Sequence, residues 1–526
     1  MGFILVGLMV YWPILGSFFL SDDFIFLADI HEFGIQSIWT VFPRFFFRPI
    51  IMLSFWLDYR LWEFQSWGYH LTNLLFHVAN ACLVTWIAKY WLERNQCPQE
   101  RISRFAPLAG LLFLVHSRHT EAVSWISGRS YLIATFFILL SLTSYFHDLR
   151  KYKRCWIIIA WLFYGLALLS KESVITLPLI ILILEFYLRP PSGWFRRCGK
   201  VISGYVVVMG LYFIFRKLAL GEWIGGHETG MTPLLNEPLW LRNLIFYTTR
   251  TMIPASDWKI HSFVMVQGKR VLILAGILMA ISWIIYSFPK LKNYTFFRFL
   301  LFPGWMITWI VLYLVSLLPV LDIMNLNIHL GSFMGERLIY WPSVMIVLLL
   351  ILGIEQGWRN WYKTSLSVLL VLSLFHGIAL FRANRIWLEA GQISQTLVQE
   401  LCQFPLGKRL VILNVPDTLR GSYIFRNGLL AIQRIWHVPF ESLDRLTFQY
   451  LHSSQDCVVV QILDAKTYAV RTDGDQTYFI KANQRDRSDS LQITTFNRTE
   501  FHLRRQRIDP DTRMIFYAGG HFHLLP

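Results

Sequence analysis

Long apolar segments alternate with short polar ones over most of this chain of 526 residues. The apolar runs cover about 2–20, 70–92, 105–117, 130–147, 155–169, 173–188, 201–217, 271–288, 299–320, 338–354 and 364–381. Several runs are shorter than the ~20 residues that an untilted helical span needs, and 105–117 is the shortest. The pattern predicts a polytopic α-helical membrane protein with about eleven membrane-spanning helices.

The pattern changes after about residue 405, where short runs rich in Val, Ile, Tyr and Phe are bounded by turn residues, as is typical of strands. These runs are RLVILNV, CVVVQIL, TYAVRTD, TYFIKAN, LQITTF and MIFYAGG. The Asp473-Gly474 step between two of them predicts a hairpin turn. We therefore expect a membrane domain over 1–382, whose first extracytoplasmic loop (21–69) carries interfacial helices. A soluble extracytoplasmic domain over 383–526, either α/β or mostly β, follows it.

Charge supports the membrane interpretation. The chain is 55% hydrophobic and only 16% charged, yet its formal net charge is +16. A net charge of this size first suggests nucleic-acid binding. The basic residues, however, lie in short clusters between apolar runs instead of forming one patch, as the positive-inside rule predicts. The expected partners are membrane lipids and not nucleic acid.

The orientation follows from three basic clusters, at 150–154, 189–200 and 290–298, which fall on one side of the predicted bundle. By the positive-inside rule that side is the cytoplasm. The N-terminus is then cytoplasmic and the C-terminal domain extracytoplasmic, in the plasma or inner membrane if the cell is prokaryotic. The stretch 238–253 is apolar but contains two arginines, so we expect an interfacial or re-entrant helix there.

Ionisable groups near the membrane are costly to place, so they are the first candidates for function. The pair Asp22-Asp23 directly follows the first apolar run. Adjacent carboxylates repel one another, and one of them could act as a general base or bind a divalent cation. The alternative is a solvated loop start that stops the helix from sliding into the bilayer.

A polar stripe runs along the segment 70–92 and contains His70, Asn73, His77 and Asn80. At 100° per residue these positions fall within about 80° of one helix face. Such a stripe faces either the bundle interior or a water-filled cavity. We assign His70 and Asn73 to a cavity wall, and the deeper Asn80 to hydrogen bonding between helices.

The loop 116–130 lies on the same predicted side and contains His116, Glu121 and Arg129. Histidines near a glutamate could hold a metal, although this spacing does not match a settled ligand pattern. Arg129, at the mouth of a helix, is better suited to bind a phosphate.

Other charged residues stand at that membrane boundary: Arg48, the pair Lys171-Glu172 and the pair Glu336-Arg337. Arg48 could simply anchor an aromatic helix at the headgroup level, and Arg337 could extend to lipid headgroups. Lys171 and Glu172 could form an ion pair that caps two spans. Each group is ambiguous when it is considered alone.

Together, these groups are the composition expected of a site that holds an anionic, lipid-tethered substrate beside a carboxylate base. In this interpretation Asp22 and Asp23 are catalytic. The donor phosphate is bound by Arg48, Arg129, Lys171 and Arg337. The substrate cavity is completed by His70, Asn73, His116, Glu121, Glu172 and Glu336.

Six segments of the chain also carry a family resemblance: SDDFIFL, FRPIIMLSFWLDYRLW, GYHLTNLLFHVANACLV, HSRHTEAVSWISGRSYLIA, LSKESVITLPL and GERLIYWPS. In content and order they resemble the membrane half of the eukaryotic transmembrane-and-TPR O-mannosyltransferases and their prokaryotic relatives. These belong to the GT-C glycosyltransferases, with protein O-mannosyltransferases and lipid A aminoarabinose transferases. The resemblance covers about residues 1–400.

The resemblance implies an inverting transfer of a sugar from a polyprenyl phosphate to an acceptor on the extracytoplasmic face. It implies Asp22 as the catalytic base and Asp23 as its acidic neighbour. Eukaryotic members carry TPR repeats where this chain has a β-rich tail, so a protein hydroxyl, a glycan and a lipid all stay open as acceptors. No organic cofactor is implied, and the need for a divalent metal stays open.

The alternative from another class is a transporter or flippase for a lipid-linked anion, which would also need polar helix faces and arginines. Transporters place such groups near the midplane of the bilayer, usually within internal repeats. In this chain the groups cluster at one boundary and no repeat is visible. The pattern therefore favours the glycosyltransferase.

Overall fold

The chain forms a mostly helical body up to residue 403, followed by a region of β-structure. The computed structural model describes residues 2–39, 46–151, 154–188, 194–223, 239–252, 304–321, 334–357, 362–403, 407–436, 438, 440–464, 466–473, 477–481, 491–505 and 512–525. The predicted fold class, a polytopic helical membrane protein with a C-terminal domain that contains β-sheet, is confirmed.

The described α-helices, numbered in chain order, are α1 (Gly2–Tyr11), α2 (Asp22–Phe33), α3 (Pro49–Trp62), α4 (Ser66–Arg94), α5 (Gln99–Leu114), α6 (Thr120–Ser124), α7 (Arg129–Lys151), α8 (Arg154–Leu168), α9 (Leu177–Leu188), α10 (Trp194–Leu220), α11 (Leu239–Met252), α12 (Gly304–Leu317), α13 (Tyr340–Gly357), α14 (Tyr362–Gln403) and α15 (Ile432–Ile435). Each predicted apolar run overlaps one of them, except 271–288, which lies outside the described residues.

Five described helical segments are long and apolar enough to cross a membrane: Ser66–Arg94, Ile126–Arg150, Arg197–Leu220, Glu336–Gln356 and Tyr362–Gln403. Three shorter apolar segments accompany them: Gly2–Gly16, Cys155–Leu168 and Gly304–Val320. These three segments are shorter than the ~20 residues that an untilted span needs, as the short apolar runs of the sequence predict.

Helix α4 packs against α5 and α7, and its predicted polar stripe faces inward. The side chain of Asn80 donates to the Leu132 carbonyl at 3.0 Å and to the Tyr340 hydroxyl at 3.1 Å. In lipid a buried amide has to find such partners within the protein, because no water replaces them. The predicted role of Asn80 between helices is thus observed.

Residues 21–69 contain the two helices α2 and α3, and their position at the membrane interface stays a prediction. The two helices pack against each other, with Phe26 stacked on Phe55 at a ring-centroid distance of 4.7 Å. Helix α3 begins at Pro49, whose fixed φ suits the first helical position and whose missing N–H needs no partner there. This arrangement brings the start of α2 and the residue before α3 to one side of the helical body.

The described strands are β1 (Gly407–Leu419), β2 (Ser422–Tyr423), β3 (Phe440–Leu451), β4 (Val458–Asp464), β5 (Thr467–Thr472), β6 (Tyr478–Lys481), β7 (Leu491–Phe496), β8 (Glu500–Arg505), β9 (Thr512–Ala518) and β10 (His521–Leu524). One sheet has the order β10-β9-β1-β3-β6, with β2 paired to β1, and the other has the order β4-β5-β8-β7. In the first sheet β1 is parallel to both β3 and β9.

Strand β1 is covered on both faces at its centre, which explains the continuous apolar run 410–413. Leu410 and Ile412 pack into the core that is continuous with the helical body, whereas Val411 and Leu413 pack into the core between the two sheets. Successive side chains of a strand point to opposite faces, so a single strand joins both cores. The C-terminal sheet is therefore packed against the helical body.

One prediction about the tail is wrong, and another stays a prediction. The strands on either side of Asp473 do not form a hairpin, because β5 pairs with β4 and β8 whereas β6 pairs with β3 in the other sheet. Gly474 itself lies outside the described residues. Helix α14 continues without a break past the predicted boundary at 382 as far as Gln403, so the division into two domains stays a prediction.

Candidate active site

A cavity of about 460 Å³ opens beside the first turn of α2. It is lined by Asp22, Phe26, Phe46, Arg48, Trp125, Ser127, Ser130, Tyr131, Lys171, Glu172, Ser173, Ile175, Tyr212, Phe213, Arg216, Trp223, Pro319, Arg337 and Leu338. These side chains come from segments far apart in the sequence. The structure thus brings together five of the predicted site residues, namely Asp22, Arg48, Lys171, Glu172 and Arg337.

The two adjacent aspartates have different surroundings. Asp22 is partly exposed, lines the cavity and accepts a hydrogen bond from the Asn427 side chain at 2.8 Å. Asp23 is 1% exposed and accepts hydrogen bonds from the backbone N–H groups of Leu20 and Ser127, both at 2.9 Å, and from the Ser127 hydroxyl. One carboxylate is therefore available to a substrate, and the other holds two chain segments together.

The buried carboxyl of Asp23 also titrates unusually. Burial raises its pKa to about 7, and the hydrogen bonds from Ser127 and Leu20 oppose that rise only in part. Both of its oxygens already accept hydrogen bonds, which leaves Asp22 as the carboxylate of the pair that faces the cavity. Within the described ranges no group of three or more His, Cys, Asp or Glu side chains could hold a metal ion.

Arg48 and Lys171 form the basic wall of the cavity. Arg48, directly before α3, donates through Nε and Nη2 to both oxygens of Glu172, with an Nε–Oε2 distance of 3.0 Å. The Lys171 ammonium lies 3.9 Å from the centre of the Tyr131 ring, a cation–π contact. Burial, and then the neighbouring Arg48, lower the pKa of Lys171 well below its usual range. A bound anion would oppose that shift.

Arg337 also lines the cavity. Its guanidinium donates to Glu121 and, at 2.7 Å, to the hydroxyl of Tyr423, and its backbone N–H donates to Glu121 at 2.7 Å. Glu121 is fully buried and is not part of the cavity lining. Its role in the structure is to hold Arg337, which remains 19% exposed toward the cavity.

Arg129, by contrast, does not reach the cavity. It is fully buried, with Nη2 at 2.6 Å from the Asp58 carboxylate, and its Nε donates to Asn73 at 3.0 Å. The Asn73 amide donates in turn to backbone carbonyls of the loop 123–126. His70 is also buried, with Nε2 at 3.2 Å from the Ser17 carbonyl. These predicted site residues lie buried in a closed cluster and are held mainly by internal hydrogen bonds and the Asp58–Arg129 ion pair.

His116 and Glu336 are likewise buried away from the cavity. His116 lies with Nε2 at 3.0 Å from the Thr251 carbonyl, and burial lowers its pKa to about 4. Glu336 accepts from Arg118 at 2.7 Å, and Arg250 lies at 3.6 Å. Neither side chain lines the space in which a substrate could bind.

The structure adds residues that the sequence interpretation did not include. Arg216 lines the cavity from the end of α10. Arg216 lies at the end of the apolar run 201–217, on the predicted extracytoplasmic side. Arg337 was selected from the sequence because it lies at the same kind of boundary between a loop and an apolar run. Asn427 and Tyr423, in the C-terminal β-structured region, contact Asp22 and Arg337 respectively. No pattern in the sequence links a polar residue of that region to residues 21–69.

The chain as a whole resembles several known proteins. No protein-family model matches the chain. The human protein O-mannosyl-transferase TMTC3 is 22% identical over an alignment of 546 residues, which covers 89% of this chain and 56% of the relative. The protein O-mannosyl-transferase tmtc2 of Xenopus laevis is 33% identical over 190 residues, which is 32% of this chain and 22% of that protein. The chain resembles the TMTC O-mannosyltransferases. The resemblance predicted from the six sequence segments is thereby confirmed.

The chain spans about half the length of the curated relatives that it matches over most of its own length. Among solved structures, ArnT from Cupriavidus metallidurans bound to undecaprenyl phosphate is similar with a TM-score of 0.43 and 17% identity. That match covers 84% of this chain and 85% of the ArnT chain.

Proposed function

We propose that this protein is a glycosyltransferase that moves a sugar from a polyprenyl-phosphate donor to an acceptor hydroxyl, with inversion at the anomeric carbon. The observation that carries the proposal is a partly exposed carboxylate, Asp22, in the same cavity as Arg48, Lys171 and Arg337. The curated relatives are named protein O-mannosyl-transferases, which makes mannose and a protein hydroxyl the first donor and acceptor to test.

The charge of the cavity suits a phosphate donor. Four basic side chains and two carboxylates line it: Arg48, Lys171, Arg216 and Arg337 against Asp22 and Glu172, so the three arginines alone outnumber the carboxylates. Their sum is positive, so a phosphate bound there gains electrostatic stabilisation that grows as negative charge develops on the leaving oxygen. Aromatic and aliphatic side chains complete the lining, which suits a donor with a hydrocarbon tail.

In the proposed reaction the acceptor oxygen attacks the anomeric carbon while its proton passes to the Asp22 carboxylate. The bond between the anomeric carbon and the phosphate oxygen breaks, and the polyprenyl phosphate leaves with the electron pair. General-base catalysis of this kind contributes about 10²–10⁴-fold to a rate. Arg48, Lys171 and Arg337 are assigned to the phosphate, whereas the buried Arg129 is not.

A transfer assay tests this proposal. The purified protein in nanodiscs is given polyprenyl-phosphate mannose with a labelled sugar, and peptides containing Ser and Thr, a glycan or a lipid as acceptor. We expect label in one acceptor product, with the anomeric configuration inverted relative to the donor. A transporter would move the lipid between leaflets without forming a glycosidic bond. That result, with no product from any acceptor or other polyprenyl-phosphate sugar, would overturn the proposal.

We also propose that the cavity faces the extracytoplasmic side. The support is the position of the basic clusters in the sequence, which would place Asp22 and the C-terminal domain outside. A reporter enzyme that is active only outside the cytoplasm, fused after residue 526, should be active. Activity of a reporter that works only in the cytoplasm would reverse this orientation.

A further inference from the structure

Residues 422–435 of the C-terminal β-structured region, which include β2 and α15, contact α2 beside the cavity. The backbone N–H of Ser21 donates to the carbonyl of Ile424 at 2.8 Å, and the N–H of Asn427 donates to the Ser21 hydroxyl at 3.2 Å. Arg434 pairs with Asp29 at 2.9 Å on the same helix face. The segment is therefore attached to α2 along its length and not at a single point.

The contact is closest where the backbone is most constrained. Ser21, which directly precedes α2, has a φ of 51°, a conformation that is costly for a residue other than glycine. Gly428 packs against it with a φ of +83°, and a Cβ on this residue would overlap the Ser21 carbonyl oxygen. Only glycine fits both the conformation and the space. Strained positions that are held this closely by their surroundings cluster at functional sites.

Two side chains of the segment contact the charged groups of the proposed reaction. The Asn427 amide donates to Asp22 at 2.8 Å. The Tyr423 hydroxyl donates to Glu121 at 2.9 Å and accepts from Arg337 at 2.7 Å. One domain thus orients both the proposed base and a proposed phosphate ligand.

A second cavity, of about 680 Å³, lies next to the first and shares part of its lining. The shared residues are Asp22, Phe26, Phe46, Arg48, Ser127, Ser130 and Arg337. The first cavity has no lining residue from the C-terminal domain among those described, whereas the second is lined by Asn427, Gly428, Leu430, Ala431, Arg434 and Arg445. Asp22 therefore stands where the two spaces meet.

We propose that this segment completes the reaction site: Asn427 positions the Asp22 carboxylate, and the second cavity receives the hydroxyl-bearing acceptor. The inference rests on the proposed function. An inverting displacement needs the attacking oxygen on the side of the sugar opposite the phosphate, with the base within hydrogen-bond reach of that oxygen. Asp22, Arg48 and Arg337 line both cavities, whereas Lys171 and Arg216 line only the first, so a phosphate held beside Lys171 and Arg216 leaves the Asp22 carboxylate open to an acceptor in the second.

Kinetics of Asn427 variants test the positioning role. Asn427→Ala removes the donor to Asp22, and we expect kcat to fall about 10-fold and the acceptor KM to rise, with an unchanged donor KM. Asn427→Asp keeps the shape but adds a carboxylate that opposes ionisation of the base. The acid limb of the pH–rate profile should therefore move to higher pH by about one unit. A residue that only holds the fold would lower the active fraction without moving this profile.

The matched controls are Asn497→Ala and Asn497→Asp, in the turn between β7 and β8. Among the described residues, Asn497 there accepts hydrogen bonds from the backbone of Thr499 and Glu500 and from the Thr499 hydroxyl. Both should keep the wild-type profile and KM values. A wild-type profile for Asn427→Asp in an active enzyme would overturn the positioning role alone. Absence of transfer by the wild type would instead overturn the proposed function, and this inference with it.

Discussion

Two regions at the same side of the helical body are built from the same types of residue but are organised in opposite ways. Around Asp22, carboxylates and cations line an open cavity. Around Arg129, a carboxylate, an amide and a histidine form a closed cluster in which Arg129 has no exposed surface. Charge near a membrane is therefore not by itself a sign of ligand binding, because a charged group can equally serve to hold the loops that shape the site.

The physical difference lies in desolvation. The Asp58–Arg129 pair has lost its water, so each charge depends on the other and on its remaining hydrogen bonds. Arg337 and Arg48 keep part of their surface toward the cavity, so a ligand can replace water there at lower cost. Mutations in the closed cluster should therefore lower the stability of the protein, whereas mutations in the lining of the open cavity should lower its activity.

The largest effect is expected at Asp22. Asp22→Asn keeps the shape and the contact with Asn427 but cannot accept a proton. Transfer should fall by at least ~10²-fold, while the unfolding temperature in detergent stays within a few degrees of the wild type. Near-wild-type transfer by this variant would show that Asp22 is not the catalytic base. The proposed difference between the open cavity and the closed cluster, activity against stability, would then fail.

For Arg129 we expect a loss of stability instead of a loss of activity. Arg129→Gln leaves Asp58 buried without its cation, which should lower the free energy of unfolding by about 3–5 kcal/mol. Thermal unfolding in detergent measures this change. The double variant Arg129→Met with Asp58→Leu should recover much of the loss, since no charge is then left buried. A stable Arg129→Gln protein with a raised donor KM would place Arg129 with the phosphate ligands after all.

Lys171 tests the basic wall of the cavity at smaller cost to the fold. Lys171→Met keeps the length of the side chain but removes its charge. The donor KM should rise roughly 10-fold, the loss expected for one charge-assisted contact, with an unchanged acceptor KM. Lys89→Met, which changes a 52% exposed lysine of α4, is the control and should leave both KM values unchanged. Equal donor KM values in the two variants would exclude Lys171 from the phosphate site.

The smallest effect concerns Asp23 and the pH dependence of stability. Burial raises its pKa from 3.8 to about 7, so the folded protein keeps a proton there that the unfolded chain has already lost. Between about pH 4 and pH 7 this group should therefore lower the free energy of unfolding as the pH rises. Asp23→Asn cannot titrate and should remove that part of the slope, a change of roughly a few °C in Tm.

Asn497→Ala, which changes a residue without a titratable group in the turn between β7 and β8, is the control for that measurement and should keep the wild-type slope. The slope of the Asp23→Asn variant is obtained from Tm values at several pH values across the window. A slope equal to that of the wild type would show that another group causes the pH dependence. Transfer by Asp23→Asn should fall less than transfer by Asp22→Asn.

Much of the architecture could be predicted from local patterns. The apolar runs located the described membrane helices, and the short β-branched runs located most of the strands. The hairpin at Asp473 was wrong, because β5 and β6 found partners in different sheets. A turn signal in the sequence describes two neighbouring residues, whereas strand pairing depends on the burial of a whole sheet face.

The candidate site, like the fold, has features that the sequence predicts and features that it does not. The sequence by itself determined which residues are costly at the membrane boundary, because hydropathy and charge are properties of each short segment. Only the tertiary structure decided that Arg337 lines a cavity whereas Arg129 is paired with Asp58. It alone placed Asn427 beside Asp22, a contact across 405 positions of the chain. Such contacts are set by how helices and sheets pack together, and no spacing in the sequence encodes them.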